Sequence, residues 1–293
     1  MLRVRAPAKI NLFLHVGPRR ADGYHAIESL VCFSEAGDML AFEQADALTL
    51  SVEGPFATGL AAEADNLVLR AARALSERVG GRHGAAITLT KNLPVASGIG
   101  GGSADAAAAL RGLVKLWDVT VADETLQDIA LSLGSDVPVC LKSAPAMMAG
   151  RGERVAPVGA LPQMPMLLVN PGVAVSTGEV FRRLGRTETG TLAFAPPLPS
   201  AMTQKALLAH LSATRNDMEE AARAIAPAIG DVLDAMRAEG AMLARMCGSG
   251  ATCYALFASD EAAMRAAQAL SVAHPAWWVE ATRIAPPGIV ARQ

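Results

Sequence analysis

Four glycines and a serine ahead of an alanine-rich run are the first residues here that could do chemistry. Residues 93–110 read LPVASGIGGGSADAAAAL, with Gly98, Gly100, Gly101 and Gly102 followed by Ser103. A helix N-terminus exposes unpaired N–H groups and carries partial positive charge. Glycines before it admit φ > 0 and let backbone approach a ligand with no Cβ in the way. Together these features suit a bound phosphate. Two familiar phosphate loops are excluded. No Gly-Lys-Ser/Thr occurs, and the run lacks the third glycine of GxGxxG while Pro94 interrupts the approach to it. The same composition also fits a slack connector in which Ser103 is an ordinary N-cap.

A carboxylate stands further on. Asp136 lies in Gly134-Ser135-Asp136-Val137-Pro138. The proline pushes Val137 toward extended backbone, which predicts Asp136 in a tight turn between a helix end and a strand. There it can accept a proton from a hydroxyl nucleophile, or form an Asx-turn or cap.

Elements must bring such groups together. AKINLFLHV (8–16) alternates as a strand, with Ile10, Leu12, Leu14 and Val16 on one face and Lys9, Asn11, Phe13 and His15 on the other. PRRADGYH turns at Asp22-Gly23, and strand patterns follow near 28–34, 38–43 and 47–53. DNLVLRAARALSERVGG (65–81) predicts a helix capped by Asp65 or Asn66 and stopped by Gly80. A strand at 85–90, the glycine loop with its helix, and a helix at 122–134 come next. Residues 157–165, rich in Pro and Gly, mark the expected division between domains 1–157 and 158–293. Beyond it are predicted a strand at 166–172, a helix from Ser176 with a capping box to Glu179, and a loop at 190–200. Helices near 202–212, 216–225 and 227–239 follow, then a second glycine turn, CGSGA (247–251), leading into TCYALF. A helix at 260–272 and a strand at 276–283 close the pattern. Trp277 and Trp278 adjoin in that strand and should face opposite ways. Both halves mix sheet and helix, so the class is α+β with two domains.

The chain has 293 residues, 52% hydrophobic and 18% charged, which suits packed cores and not disorder. Lys+Arg 26 against Asp+Glu 28 leaves a net charge of −2, with no global pull toward nucleic acid or an anionic membrane. Any anion must therefore be held by local geometry. No apolar run approaches membrane-spanning length, and the start lacks the pattern of a signal peptide. Cys32, Cys140, Cys247 and Cys253 have no metal-like spacing, so a reducing cytoplasm and no protein-held metal are expected.

PVASGIGGGSADAA resembles the phosphate-wrapping motif of the kinase superfamily named for galactokinase, homoserine kinase, mevalonate kinase and phosphomevalonate kinase. PAKINLFLHV resembles that superfamily's first motif and CGSGATCYALF its third. Within it, KINLFLHVGPRRADGYH, DNLVL, LGSDVP, GRGE (150–153) and RNDME (215–219) resemble the family that phosphorylates a cytidine-diphosphate-linked methylerythritol. The resemblance spans nearly the whole chain. It implies a ribosomal-protein-like first domain, a ferredoxin-like second domain and transfer of the ATP γ-phosphoryl group to the substrate 2-hydroxyl. A monomer or weak homodimer is expected.

Roles follow by resemblance. Pro94, Val95, Ala96, Ser97, Gly98, Ile99, Gly100, Gly101, Gly102, Ser103 and Ala104 would wrap ATP, with Gly248, Ser249 and Gly250 closing from the second domain and Asn66 bordering the adenine. Asp136 would be the general base and Lys9 its partner. An opposite charge within ~4–6 Å favours the carboxylate form. Asn11 would hydrogen-bond substrate. Tyr24 and His25 would take the cytosine, joined by Phe181 and Thr177, although Phe181 also reads as helix core and Thr177 as a helix start. ATP would bring Mg²⁺ bound mainly by water and phosphate. Two departures stand out. Cys247 replaces a usual Ser and Ala104 a common second Ser, at positions where backbone amides can still serve the phosphates. Two other readings are another kinase of the superfamily, or a nucleotide-binding regulator that has lost Lys9 or Asp136. Both of those residues are present.

Overall fold

The computed structural model describes residues 1–58, 60, 66–81, 83–185, 192 and 194–289. The first sheet begins with β1 (Leu2–Asn11), β2 (His15–Arg19), β3 (His25–Glu43) and β4 (Leu48–Glu53). Then come α1 (Leu67–Arg78), β5 (Ala85–Thr90), α2 (Gly101–Leu116), α3 (Asp123–Leu133), α4 (Val137–Lys142), β6 (Ala146–Gly150) and β7 (Arg154–Pro157). β3 organises this half: its 19 residues pair antiparallel with β1, β2, β5 and β6. β4 runs parallel to β5, and β7 extends the far edge from β6.

Two expectations change here. The patterns at 28–34 and 38–43 are one strand, although Glu35-Ala36-Gly37 reads as a breaker. Gly37 lies against Pro7, where a Cβ would come within 2.5 Å of Ala6 O. The glycine lets β3 run past the β1 irregularity between Pro7 and Lys9 rather than turn. Conversely, the strand expected at 8–16 is broken. Leu14 N–H donates to Arg215 O, and Leu14 O accepts from Asp217 N–H, so the chain leaves the sheet to pair with the second half. Phe13 consequently packs with Ile10 and Leu12 and does not share a face with Lys9.

The second half contains β8 (Pro165–Asn170), α5 (Thr177–Leu184), α6 (Gln204–Ser212), α7 (Glu219–Ile225), α8 (Ala228–Ala238), β9 (Leu243–Met246), β10 (Cys253–Leu256), α9 (Asp260–Ala273) and β11 (Trp278–Arg283). Its antiparallel sheet has the order β11-β8-β10-β9. β9 escapes the hydrophobic pattern because Arg245 sits within it. That guanidinium is buried and donates to the carbonyls of Leu12, Leu211 and Thr214. Pro227 separates α7 from α8, as its missing N–H and fixed φ require. The alternative cap Asp65 and part of the 190–200 loop lie outside the described residues.

Three apolar clusters hold this together. One packs α1, α2 and α4 on the first sheet. A second packs α5, α7, α8 and α9 on the second sheet and takes in Leu14 and Val16. The third joins the sheets, with Ile10, Leu12, Phe13 and Cys32 against Met166, Leu168 and Tyr254. Trp278 opens β11 and joins the third cluster, whereas Trp277 lies just before the strand, its N–H donating to His274 O, and packs on the second.

Candidate active site

Lys9 and Asp136, far apart in the chain, form an ion pair: Lys9 Nζ donates to Asp136 Oδ2 at 2.7 Å. β1 holds the lysine, whose backbone N–H donates to Ile99 O at 3.0 Å. Asp136 leads into a helix and not the expected strand, because Pro138 falls in the first turn of α4, where its missing N–H costs nothing. Its carboxylate stands at the N-cap position yet makes no capping bond, so it is available to Lys9. The lysine side chain is only 4% exposed, against 36% for the aspartate. Burial alone would lower the Lys9 pKa, but attraction to Asp136 outweighs it and the net shift is upward. The lysine is thus held charged.

Beside this pair the glycine run starts a helix. Gly100, at φ +62°, is the N-cap of α2, and helical residues begin at Gly101. Ser103 is therefore the third residue of the helix and not its cap. Ala104 N–H already donates to Gly100 O, which leaves the amides of the preceding turn for an anion. The second glycine turn closes on the first. A Cβ at Gly98 would lie 2.6 Å from Cys247 O, and one at Gly248 would lie 2.5 Å from Gly98 O. Only glycine permits that backbone-to-backbone approach at φ +81° and +55°. Asn216 Nδ2 donates to Met246 O and Gly248 O, both at 2.8 Å, and so suspends the second turn. Thr177 and Ser249 join hydroxyl to hydroxyl at 2.7 Å.

Rings gather at the other end. His25 stacks on Phe181, with centroids 5.0 Å apart and planes 13° apart. Tyr24 is 53% exposed beside them. Asn11 Nδ2 donates to Ser29 Oγ at 2.8 Å, while its buried Oδ1 has no partner among the described residues. Asn66 caps α1, its side chain accepting from Val68 N–H at 2.9 Å. One cavity of about 1420 Å³ brings these groups together. It is lined by Lys9, Asn11, Tyr24, His25, Asn66, Asp136, Thr177, Phe181, Gly248, Ser249 and the glycine loop. Ile99, Ala104 and Gly250 do not line it. Ile99 and Ala104 are buried behind the loop, and Gly250 N–H closes the turn onto Cys247 O.

The cavity also holds residues that sequence reasoning missed. Lys91, at the end of β5, is buried between Asp38 and Asp105, donating to both, at 2.7 Å to Asp105 Oδ2. Asp38 Oδ1 in turn accepts from the amides of Asn92 and Leu93, which fixes the entry to the glycine loop. The Asp105 carboxyl is pushed up to about 8, chiefly by burial, with Asp38 adding to the rise and Lys91 opposing it. Asp105 was hidden inside an alanine run, and nothing local distinguishes Lys91 from a surface lysine. Asn216 lies in the RNDME motif, whose resemblance carries no role for it.

Comparison with known proteins fits this arrangement. Residues 66–144 match the GHMP kinases N terminal domain and residues 201–275 the GHMP kinases C terminal domain. A 4-diphosphocytidyl-2-C-methyl-D-erythritol kinase of Parvibaculum lavamentivorans is 53% identical over 94% of this chain and 95% of its own. The chain belongs to this kinase family. The corresponding protein of Ruegeria pomeroyi is 51% identical over 95% of this chain and 98% of its own. A crystal structure of 4-(cytidine 5'-diphospho)-2C-methyl-D-erythritol kinase superposes with TM-score 0.80 at 35% identity, covering 97% of this chain and 100% of that one. A homoserine kinase from Cytophaga hutchinsonii gives 0.70 at 18% identity, a likeness of fold.

In this member of the family Cys247 is fully buried. Its sulfur accepts from Asn11 N–H at 3.2 Å, and burial pushes its thiol up to about 11. The cysteine therefore acts as a small buried acceptor, tying β1 to the second glycine turn.

Proposed function

We infer that this kinase transfers the γ-phosphoryl group of ATP to the 2-hydroxyl of 4-diphosphocytidyl-2-C-methyl-D-erythritol, giving the 2-phosphate and ADP in non-mevalonate isoprenoid precursor synthesis. The observation that carries this reading is a single cavity holding the Lys9–Asp136 pair between two glycine turns and a cluster of rings. Asp136 takes the hydroxyl proton as that oxygen bonds to the γ-phosphorus. The bond from that phosphorus to the β–γ bridging oxygen breaks, and ADP leaves. Lys9, bonded to Asp136 at 2.7 Å, orients that carboxylate and offsets charge on the moving phosphoryl group. Most of the rate gain in such transfers comes from positioning and charge stabilisation. The amides of the cavity-lining loop residues and of Gly248 and Ser249 hold the phosphates, and ATP enters with its Mg²⁺. Asn66 borders the adenine. Asn11 binds the acceptor with Thr177, while Tyr24, His25 and Phe181 take the cytosine.

We place the domain division between Pro157, which ends β7, and Pro165, which opens β8. We also place the enzyme in the cytoplasm as a monomer or weak homodimer. Among the described residues no helix is long and apolar enough to cross a membrane, and the four cysteines are free. A coupled ADP-release assay with the cytidyl substrate, mevalonate and homoserine tests the reading. Turnover with the first alone is expected, and turnover with only one of the others would overturn it.

A further inference from the structure

Gly150-Arg151-Gly152-Glu153 has no part in the chemistry above, yet it is a built turn. It joins β6 to β7 with Gly150 at φ +74° and Gly152 at φ +113°. Glu153 Oε2 accepts from Arg151 N–H at 2.6 Å, which fixes the arginine's backbone. Gly152 is buried against the residue preceding Asp136: a Cβ there would lie 3.5 Å from Ser135 Cβ and Ser135 O. The Arg151 guanidinium, in contrast, lies over Tyr24, 5.2 Å from the ring centroid. Ser135, Asp136, Arg151 and Tyr24 all line the one cavity. Arg151 thus spans the interval between the proton acceptor and the aromatic end.

The acceptor assigned above has a diphosphate that links the cytidine 5' position to carbon 4 of methylerythritol, and its 2-hydroxyl is phosphorylated. With the pyrimidine at Tyr24 and the 2-hydroxyl at Asp136, that diphosphate must cross the interval Arg151 occupies. Lys9 is committed to Asp136 and cannot serve it. Among the described residues no carboxylate lies within ion-pairing distance of the Arg151 guanidinium. Its contact with Tyr24 can be exchanged for charge-assisted bonds to phosphate oxygens, which the planar fork of arginine matches two at a time.

We propose that Arg151 binds the diphosphate of the acceptor and sets the enzyme's preference for a nucleoside-diphosphate-linked alcohol. This rests on the function proposed above. Arg151→Ala and Arg151→Lys in the full chain test it, with CDP and cytidine as competitive inhibitors against the acceptor. In Arg151→Ala the acceptor KM and the CDP inhibition constant should rise about tenfold or more. Cytidine inhibition and the ATP KM should stay unchanged. Arg151→Lys should recover part of the loss, because it keeps the charge but not the fork. Equal weakening of CDP and cytidine would overturn the proposal in favour of ring stacking on Tyr24. A wild type active on the cytidyl substrate, with CDP inhibition unmoved in both variants, would overturn it too. A wild type that turns over only mevalonate or homoserine would instead overturn the function itself.

Discussion

Asp136 stands at the head of a helix without capping it, and that leaves its carboxylate for Lys9. Isosteric Asp136→Asn removes the proton acceptor and little else. The turnover number should fall about 10²–10⁴-fold, the usual contribution of a positioned acid or base, while ATP binding holds. Wild-type turnover with ATP affinity unchanged would show that Asp136 is not the base. The cysteines give a second expectation. All four are buried and free. Burial pushes the Cys140 thiol up to about 12 and Cys247 to about 11, and raises Cys32 and Cys253 well above their usual value. Since the thiolate is the reactive form, a thiol reagent at pH 8 should label none of them before denaturation. Labelling of Cys247 in the native protein would contradict its burial.

At the scale of elements, the glycine loop depends on two turns that touch through backbone. Gly98→Ala places a Cβ 2.6 Å from Cys247 O at a positive φ, so the turns must separate. The strain should cost more than about 1 kcal/mol and show as a lower Tm together with a raised ATP KM. Gly159 is the control, since a Cβ there meets nothing within 4 Å. Gly159→Ala should leave both quantities unchanged, and equal effects from the two substitutions would refute the steric account. Elements also show what local pattern misses. The boundaries of α1, β5, α3 and α9 follow from caps and periodicity close to their own residues. β3 does not, because Gly37 reads as a breaker until Pro7 is set beside it. β9 does not, because a buried arginine interrupts the apolar pattern and is satisfied only by carbonyls of distant segments.

Over the whole molecule, the third apolar cluster welds the two sheets, and the Asp38–Lys91–Asp105 group fixes the glycine loop to the first of them. That group makes stability depend on pH. An unfolded aspartate titrates near about 3.9, whereas folded Asp105 is pushed up to about 8. Between these values the folded chain keeps a proton that the unfolded chain has lost. Raising pH through that window therefore favours unfolding, and above it the contribution is constant. Asp105→Asn cannot ionise, so its Tm should fall less than that of the wild type between pH 5 and 8. Parallel Tm curves would show that Asp105 is ionised throughout.

From the sequence come the α+β class, a glycine run ahead of a helix, most helix ends and, by resemblance, the kinase family. These depend on neighbours within a turn or two of chain, where caps, glycines and apolar periodicity act. The tertiary structure alone decided which glycines touch, that the helix starts at Gly101 and not after Ser103, and that Asp136 precedes a helix. It alone brought Asn216 under the second turn, Asp38 and Asp105 around Lys91, and Arg151 between Asp136 and Tyr24. These contacts cross between elements, and the packing of the elements sets which distant residues meet.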